Sequence, residues 1–117
     1  MNIHDQAHQL ARSLKNSAEY QELLTAKSKV EAIPESKKML HDFRAKQWEL
    51  QKVTLSGQQP TEAQLQSFQQ LAGLISLQPS LQEYLMAEFR FSQLMTDVQK
   101  ILSDAVKDWL PEELGNP

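Results

Sequence analysis

The chain has 117 residues, 40% of them hydrophobic and 23% charged, with a formal charge of −3 and no cysteine. That length supports one domain around one core and leaves no room for separate catalytic and regulatory domains. The lack of cysteine excludes a disulfide framework, an all-thiolate metal site, a cysteine-held iron–sulfur cluster and a cysteine nucleophile.

Val, Ile and Thr together supply only 12 residues, whereas Leu supplies 17 and Gln 15. Both of the abundant types suit helices, and the apolar positions recur at helical spacing throughout, so an all-α fold of five helices is predicted. The first helix is expected over 3–15. Ile3, Ala7, Leu10, Ala11 and Leu14 form one narrow stripe on it. The second is expected over 18–32, with Ser17 as N-cap and Tyr20, Leu23, Leu24 and Val30 on its buried side. Ile33-Pro34-Glu35 restarts the chain, because proline costs nothing in a first helical turn and Glu35 complements the helix dipole.

A long third helix follows over about 35–56 and should stop at Gly57. Its main stripe is Met39, Leu40, Phe43, Leu50 and Val53, with Trp48 and Leu55 on another face. Thr61-x-x-Gln64 is a capping box that opens a fourth helix, whose stripe is Leu65, Phe68, Leu71, Ala72 and Ile75. The fifth helix is predicted over about 80–109. A single helical domain over 1–110 and a flexible tail over 111–117 complete the expected organisation.

A fifth helix of about 45 Å would overhang a compact chain of this size, which is about 35 Å across. It carries two apolar seams. One is Leu81, Leu85, Met95, Leu102 and Val106. The other is Phe91, Leu94, Val98, Ile101 and Ala105, at coiled-coil spacing. One seam can face the third helix. The other predicts a homodimer, unless helices 1, 2 and 4 cover it. Trp48 and Leu55 are candidates to extend that contact or to receive another protein. A lone surface Trp is the alternative.

Few residues suggest chemistry. His4-Asp5-x-x-His8 approximates a zinc-protease motif, but Asp replaces Glu and the third histidine, His41, lies far along the chain. Three isolated glycines form no phosphate loop. Glu88 interrupts an apolar stripe, so a buried structural carboxylate is expected, paired with Arg12, Lys27 or Arg44. Gln47, on the apolar side of the third helix, is a second candidate buried polar group. No catalytic residue, metal or cofactor is expected, and no enzymatic activity.

Residues 1–57 carry nine Lys/Arg against seven Asp/Glu, and residues 58–117 carry three against eight. The basic half makes RNA binding by helices 2 and 3 the alternative function. Interleaved acids such as Glu31, Asp42 and Glu49 favour an ordinary solvated face instead. The first residues have neither a basic segment nor an apolar run, so neither a signal peptide nor a membrane span is expected, and the cytoplasm is the expected compartment.

Three motifs carry a family resemblance. Ile3-x-x-x-Ala7-x-x-Leu10-Ala11 with Ser17-x-x-Tyr20 and Ile33-Pro34-Glu35 is the first. Phe43-Arg44-x-x-Gln47-x-x-x-Gln51 is the second, and Tyr84-Leu85-x-Ala87-Glu88-x-x-Phe91 the third. Together, over about residues 3–110, they resemble the YlbF/YmcA family of small bacterial helical proteins, and most closely its YheA-like branch. The resemblance implies an all-helical, usually dimeric protein from a bacterial cytoplasm, with two long antiparallel helices, about 35–56 and 80–109, packed with three shorter ones. It also implies a part in regulatory complexes linked to ribonuclease Y-dependent mRNA processing, competence, sporulation and biofilm formation. Some relatives hold iron–sulfur clusters through cysteines, a property this cysteine-free chain cannot share.

Overall fold

The structure is a computed structural model that describes residues 2–111. All but the first residue of the expected tail therefore lies outside the described residues. Five helices follow in order: α1 (Ile3–Lys15), α2 (Ala18–Glu31), α3 (Pro34–Leu55), α4 (Glu62–Ser76) and α5 (Pro79–Ala105). A single 3₁₀ turn, Lys107–Trp109, ends the series, and no strand occurs among the described residues.

Local chemistry sets each boundary. The Asn2 side chain accepts from the Asp5 backbone N–H at 2.8 Å and opens α1. Ser17 does the same for Tyr20 at 3.2 Å, and its extended backbone separates α2 from α1. The capping box of α4 is complete: Thr61 Oγ1 accepts from the Gln64 N–H, and Gln64 Oε1 accepts from the Thr61 N–H. At the end of α3, Gly57 takes φ +84°, the left-handed conformation that glycine adopts without strain. There the Gln58 N–H reaches the Val53 carbonyl and the Gly57 N–H reaches that of Thr54, which satisfies two orphan acceptors.

The end of α5 is earlier than expected. The helix stops at Ala105 rather than near Trp109, and is about 40 Å long rather than 45 Å. Pro111 explains the shortfall, because it disfavours helical backbone at the residue before it. Leu110 accordingly has ψ 146°, and the intervening residues tighten into the 3₁₀ turn.

The pairing of the helices also differs from expectation. The two long helices are not each other's main neighbours. α5 packs chiefly along α2, and α3 along α4. Both pairs are antiparallel hairpins in space. Tyr20 meets Phe91 and Lys29 meets Glu83 across the first pair; Phe43 meets Phe68 and Lys46 meets Ser67 across the second. Two small residues explain the choice. Ala26 on α2 and Ala87 on α5 are both 1% exposed and lie at matching levels of the α2/α5 pair. With only methyl side chains there, the two backbones approach closely and exclude water along their length.

The hairpins join at one hub. Val30 of α2, Phe43 of α3, Ile75 of α4 and Leu81 of α5 form the buried cluster, one side chain from each helix. Met39, Leu40, Phe68, Leu71, Ala72, Tyr84 and Leu85 pack around it. Other expected core positions stand in water: Leu24, Leu65 and the whole apolar stripe of α1 except the half-buried Leu14. The molecule measures 50 × 38 × 16 Å, with a radius of gyration of 18.7 Å. A compact chain of this length would have one near 13 Å. The thin dimension admits little more than one layer of helices, each about 10 Å across.

The α2/α5 contact can be tested by overfilling it. Ala87→Leu should destabilise the chain by about 1–3 kcal/mol in urea titration, because the added carbons must wedge the two backbones apart. Ala45→Leu, at an exposed position of α3, should change stability by less than about 0.5 kcal/mol.

Candidate interaction surface

Where α3 crosses α5, three side chains meet. Glu88 pairs with Arg44, and the Arg44 guanidinium lies over the Tyr84 ring, 5.9 Å from its centroid. Tyr84 and Glu88 are one turn apart, so they share a face of α5 and hold Arg44 together. Burial acts to lower the basicity of Arg44. The hydrogen bond and the charge of Glu88 outweigh that effect and hold the guanidinium above its ordinary range. Arg44 is therefore charged wherever the fold exists. Glu88 is half-buried rather than buried: its side chain keeps 37% of its exposure and that of Arg44 keeps 38%. The site is a solvent-edged clasp between hairpins. Gln47 departs further from expectation, since it is exposed and lies outside the core.

The candidate interface residues fall into two groups. Phe91, Leu94 and Val98 are half-buried along α5, where the Phe91 ring meets that of Tyr20 in a tilted contact, centroids 5.1 Å apart. Beyond them Ile101 is 68% exposed, and Leu102, Val106 and Trp109 continue the uncovered strip. Trp48 and Leu55 lie on α3, in the other hairpin, 54% and 73% exposed. Lys52 sits over the Trp48 ring at 5.8 Å. The structure thus separates these residues into two surfaces. It also shows a third that periodicity along α5 did not single out. Met86 and Phe89 project beside Leu85 and Arg90 around a small apolar groove. Their three-residue spacing was the available signal, masked by the two stronger seams on the same helix.

Nothing in the clefts assembles a reaction. The largest, about 660 Å³, is an open groove along α2 and α5 lined by Gln21, Glu22, Thr25, Glu83, Ala87 and Arg90. Among the described residues no cluster of His, Asp or Glu is placed to hold a metal ion. Nor is any described helix long and apolar enough to cross a membrane. Basic side chains of α2 and α3 are largely engaged within the chain. Lys27 lies 3.9 Å from Glu31, Lys29 3.3 Å from Glu83, and Lys46 donates to Ser67 Oγ at 2.6 Å.

The Arg44–Glu88 clasp yields a prediction. Glu88→Arg places two cations at the crossing and should cost about 1–2 kcal/mol in urea titration, a modest figure because both groups touch solvent. The exchange Arg44→Glu with Glu88→Arg should recover part of that loss. A double variant no more stable than the worse single variant would assign the cost to lost packing on Tyr84 instead.

Comparison with known proteins places this architecture. The family model described as "Control of competence regulator ComK, YlbF/YmcA" matches residues 3–107. A UPF0342 protein of Desulfitobacterium hafniense is 40% identical over 111 residues, covering 95% of this chain and 90% of its own. One from Caldicellulosiruptor bescii is 39% identical over 106 residues, covering 91% and 89%. One from Bacillus licheniformis is 32% identical over 117 residues, covering 100% and 97%. Among solved structures, a protein of unknown function (DUF964) from Bacillus stearothermophilus superposes with a TM-score of 0.78. It covers 91% of this chain and 93% of its own at 21% identity, a likeness of fold. Matched by its family model along almost its entire length, and by these relatives end to end, the chain belongs to the YlbF/YmcA family, whose model is described by control of the competence regulator ComK.

Proposed function

We propose that this chain is a homodimeric interaction protein without catalytic activity of its own, acting in the bacterial cytoplasm as an adaptor or subunit of a regulatory complex. One observation carries the reading. A compact monomer of 13.4 kDa exposes about 6,500 Å², whereas this chain exposes 9255 Å². The excess, roughly 2,800 Å² per chain, is more than a standard protein–protein interface removes from both partners together. Much of it is apolar helix face, the kind of surface that soluble proteins expose when it has a partner. The shallow clefts and the family's link to ComK control support regulation by contact rather than by chemistry. A place in an RNA-processing complex is the form of that regulation which the family resemblance favours.

Direct RNA binding would require a basic surface free to meet phosphates. The ion pairs of Lys27 and Lys29 and the clasp of Arg44 weigh against it.

Light scattering at micromolar concentration should give about twice 13.4 kDa. Leu94→Glu or Ile101→Glu should lower the mass to one chain while far-UV circular dichroism stays helical. Leu85→Glu, beside the hub, should unfold the chain. In the native cell, Ile101→Glu should reproduce the effect of deleting the gene on a ComK-dependent reporter. A monomeric wild type would refute the dimer. Salt-sensitive RNA binding by the monomeric variant would replace the adaptor reading with the RNA reading.

A further inference from the structure

Two unpartnered helical stripes leave the same end of the molecule. Tyr20 and Phe91 form a ring contact across the α2/α5 pair. α1 lies just before Tyr20 in the chain, and the distal half of α5 just after Phe91. The pair is antiparallel, so both segments spring from that one end. α1 buries no residue, and Ile3 at its start is 80% exposed. Its chief contacts within the chain are at the corner with α2. From residue 101 to 109 every position of the α5 arm is exposed. The two arms match in length: 13 residues of α1 span about 20 Å, and Leu94 to Ala105 span about 18 Å.

Resting on the dimeric reading above, we infer that a second copy of this chain covers both stripes: α1 and the distal half of α5 from each copy close into one four-helix bundle. α1 presents one apolar stripe, and the two seams of the α5 arm adjoin to form one broad apolar face, which is what one corner of such a bundle contributes. Two chains related by a two-fold axis supply four corners, and each stripe then faces a common core. The surface excess is large enough. If each copy buries about half of it, the interface reaches the 2,000–3,000 Å² of obligate dimers.

Charge on the flanks supports the second copy as occupant. By helical position, Lys15 edges the apolar stripe of α1 on one side, with the polar side chains of His4 and His8 along the same edge. Asp97 and Asp104 edge that of the α5 arm on the opposite side. Such edges meet when the two helices run parallel. With both arms extended from the same end, α1 is antiparallel to its own α5, whereas the α1 of a copy across a two-fold axis is parallel to it. In that arrangement the two α5 arms pair antiparallel, and each acidic edge faces the edge of the other copy that carries Lys15.

The test uses the full chain, first by light scattering. Leu10→Glu should weaken the dimer at least about tenfold without altering the helical signal or the urea midpoint of the monomer, because Leu10 is exposed within its own chain. Gln9→Glu, on the opposite face of α1, should leave the dimer intact. The chain has no cysteine, so introduced thiols report cleanly. Leu10→Cys with Ile101→Cys in one chain, treated with a flexible bismaleimide, should give a covalent dimer. A dimer that persists in Leu10→Glu but dissociates in Ile101→Glu would overturn the bundle and leave the dimer standing. So would a crosslink confined within one chain. A monomeric wild type would overturn both.

Discussion

Four side chains hold this molecule together, one from each of α2, α3, α4 and α5. Val30, Phe43, Ile75 and Leu81 meet where the two hairpins join, and everything else is an extension from that hub. Two of them, Val30 and Leu81, are the largest fully buried side chains among the described residues. A hub of this size cannot support the layered core that a chain of this length could build. The flat outline follows directly. With little more than one layer of helices, a stripe turned away from the hub has no second layer to meet. The amphipathic helices are correctly made, yet much of their apolar surface stays wet.

Much of the local architecture was legible in the residues, because caps and breakers act over three or four positions. Ser17, the Thr61–Gln64 box, Gly57 and the two prolines that open α3 and α5 each placed a boundary to within a residue or two. The partnership of the helices was not legible. A 3.6-residue period identifies which face of a helix is apolar and is silent about which helix will cover it. The antiparallel pairing expected for α3 and α5 rested on the family resemblance. The actual pairing of α5 with α2 rests on Ala26 and Ala87, whose small size makes them weak contributors to any periodicity. Alanine acts here through what it permits, a close approach of backbones, and that appears only once two helices are side by side.

The candidate site was legible in a similar, partial way. A carboxylate on an apolar stripe demanded a cation, and Arg44 was among the three that could reach it. Its setting could not be foreseen. Since α3 and α5 cross rather than run together, Glu88 sits at the edge of a junction instead of inside a seam. Gln47 moved into solvent for the same reason, because no helix lies along the face it occupies. The crossing also bears on the uneven charge of the chain. Lys29 leans across a helix junction onto Glu83, and Lys27 reaches Glu31 one turn on. These two charges are partly offset locally, and the sum over one half of the sequence overstates the field a distant phosphate would meet. Lys46 donates across another junction to the Ser67 hydroxyl, which leaves its charge in place.

Small hub and exposed arms are two sides of one thermodynamic arrangement. Apolar surface left wet by the single chain contributes nothing to the stability of that chain, but it contributes in full when a partner removes it from water. Conformational entropy opposes ordering α1, which has almost no contacts of its own to offset it. Under the proposed dimer, the partner that covers the arms stabilises α1 and the distal half of α5, and folding is linked to association. A regulatory protein benefits from such linkage. Its level of order, and the surfaces it presents, then respond to concentration and to the presence of partners, with no need for a catalytic centre. The same physics accounts for the placement of Trp48 and Leu55. They stand on the α3/α4 hairpin, on the far side of the hub from the arms. A chain that pairs through one hairpin keeps the other free to meet a different protein.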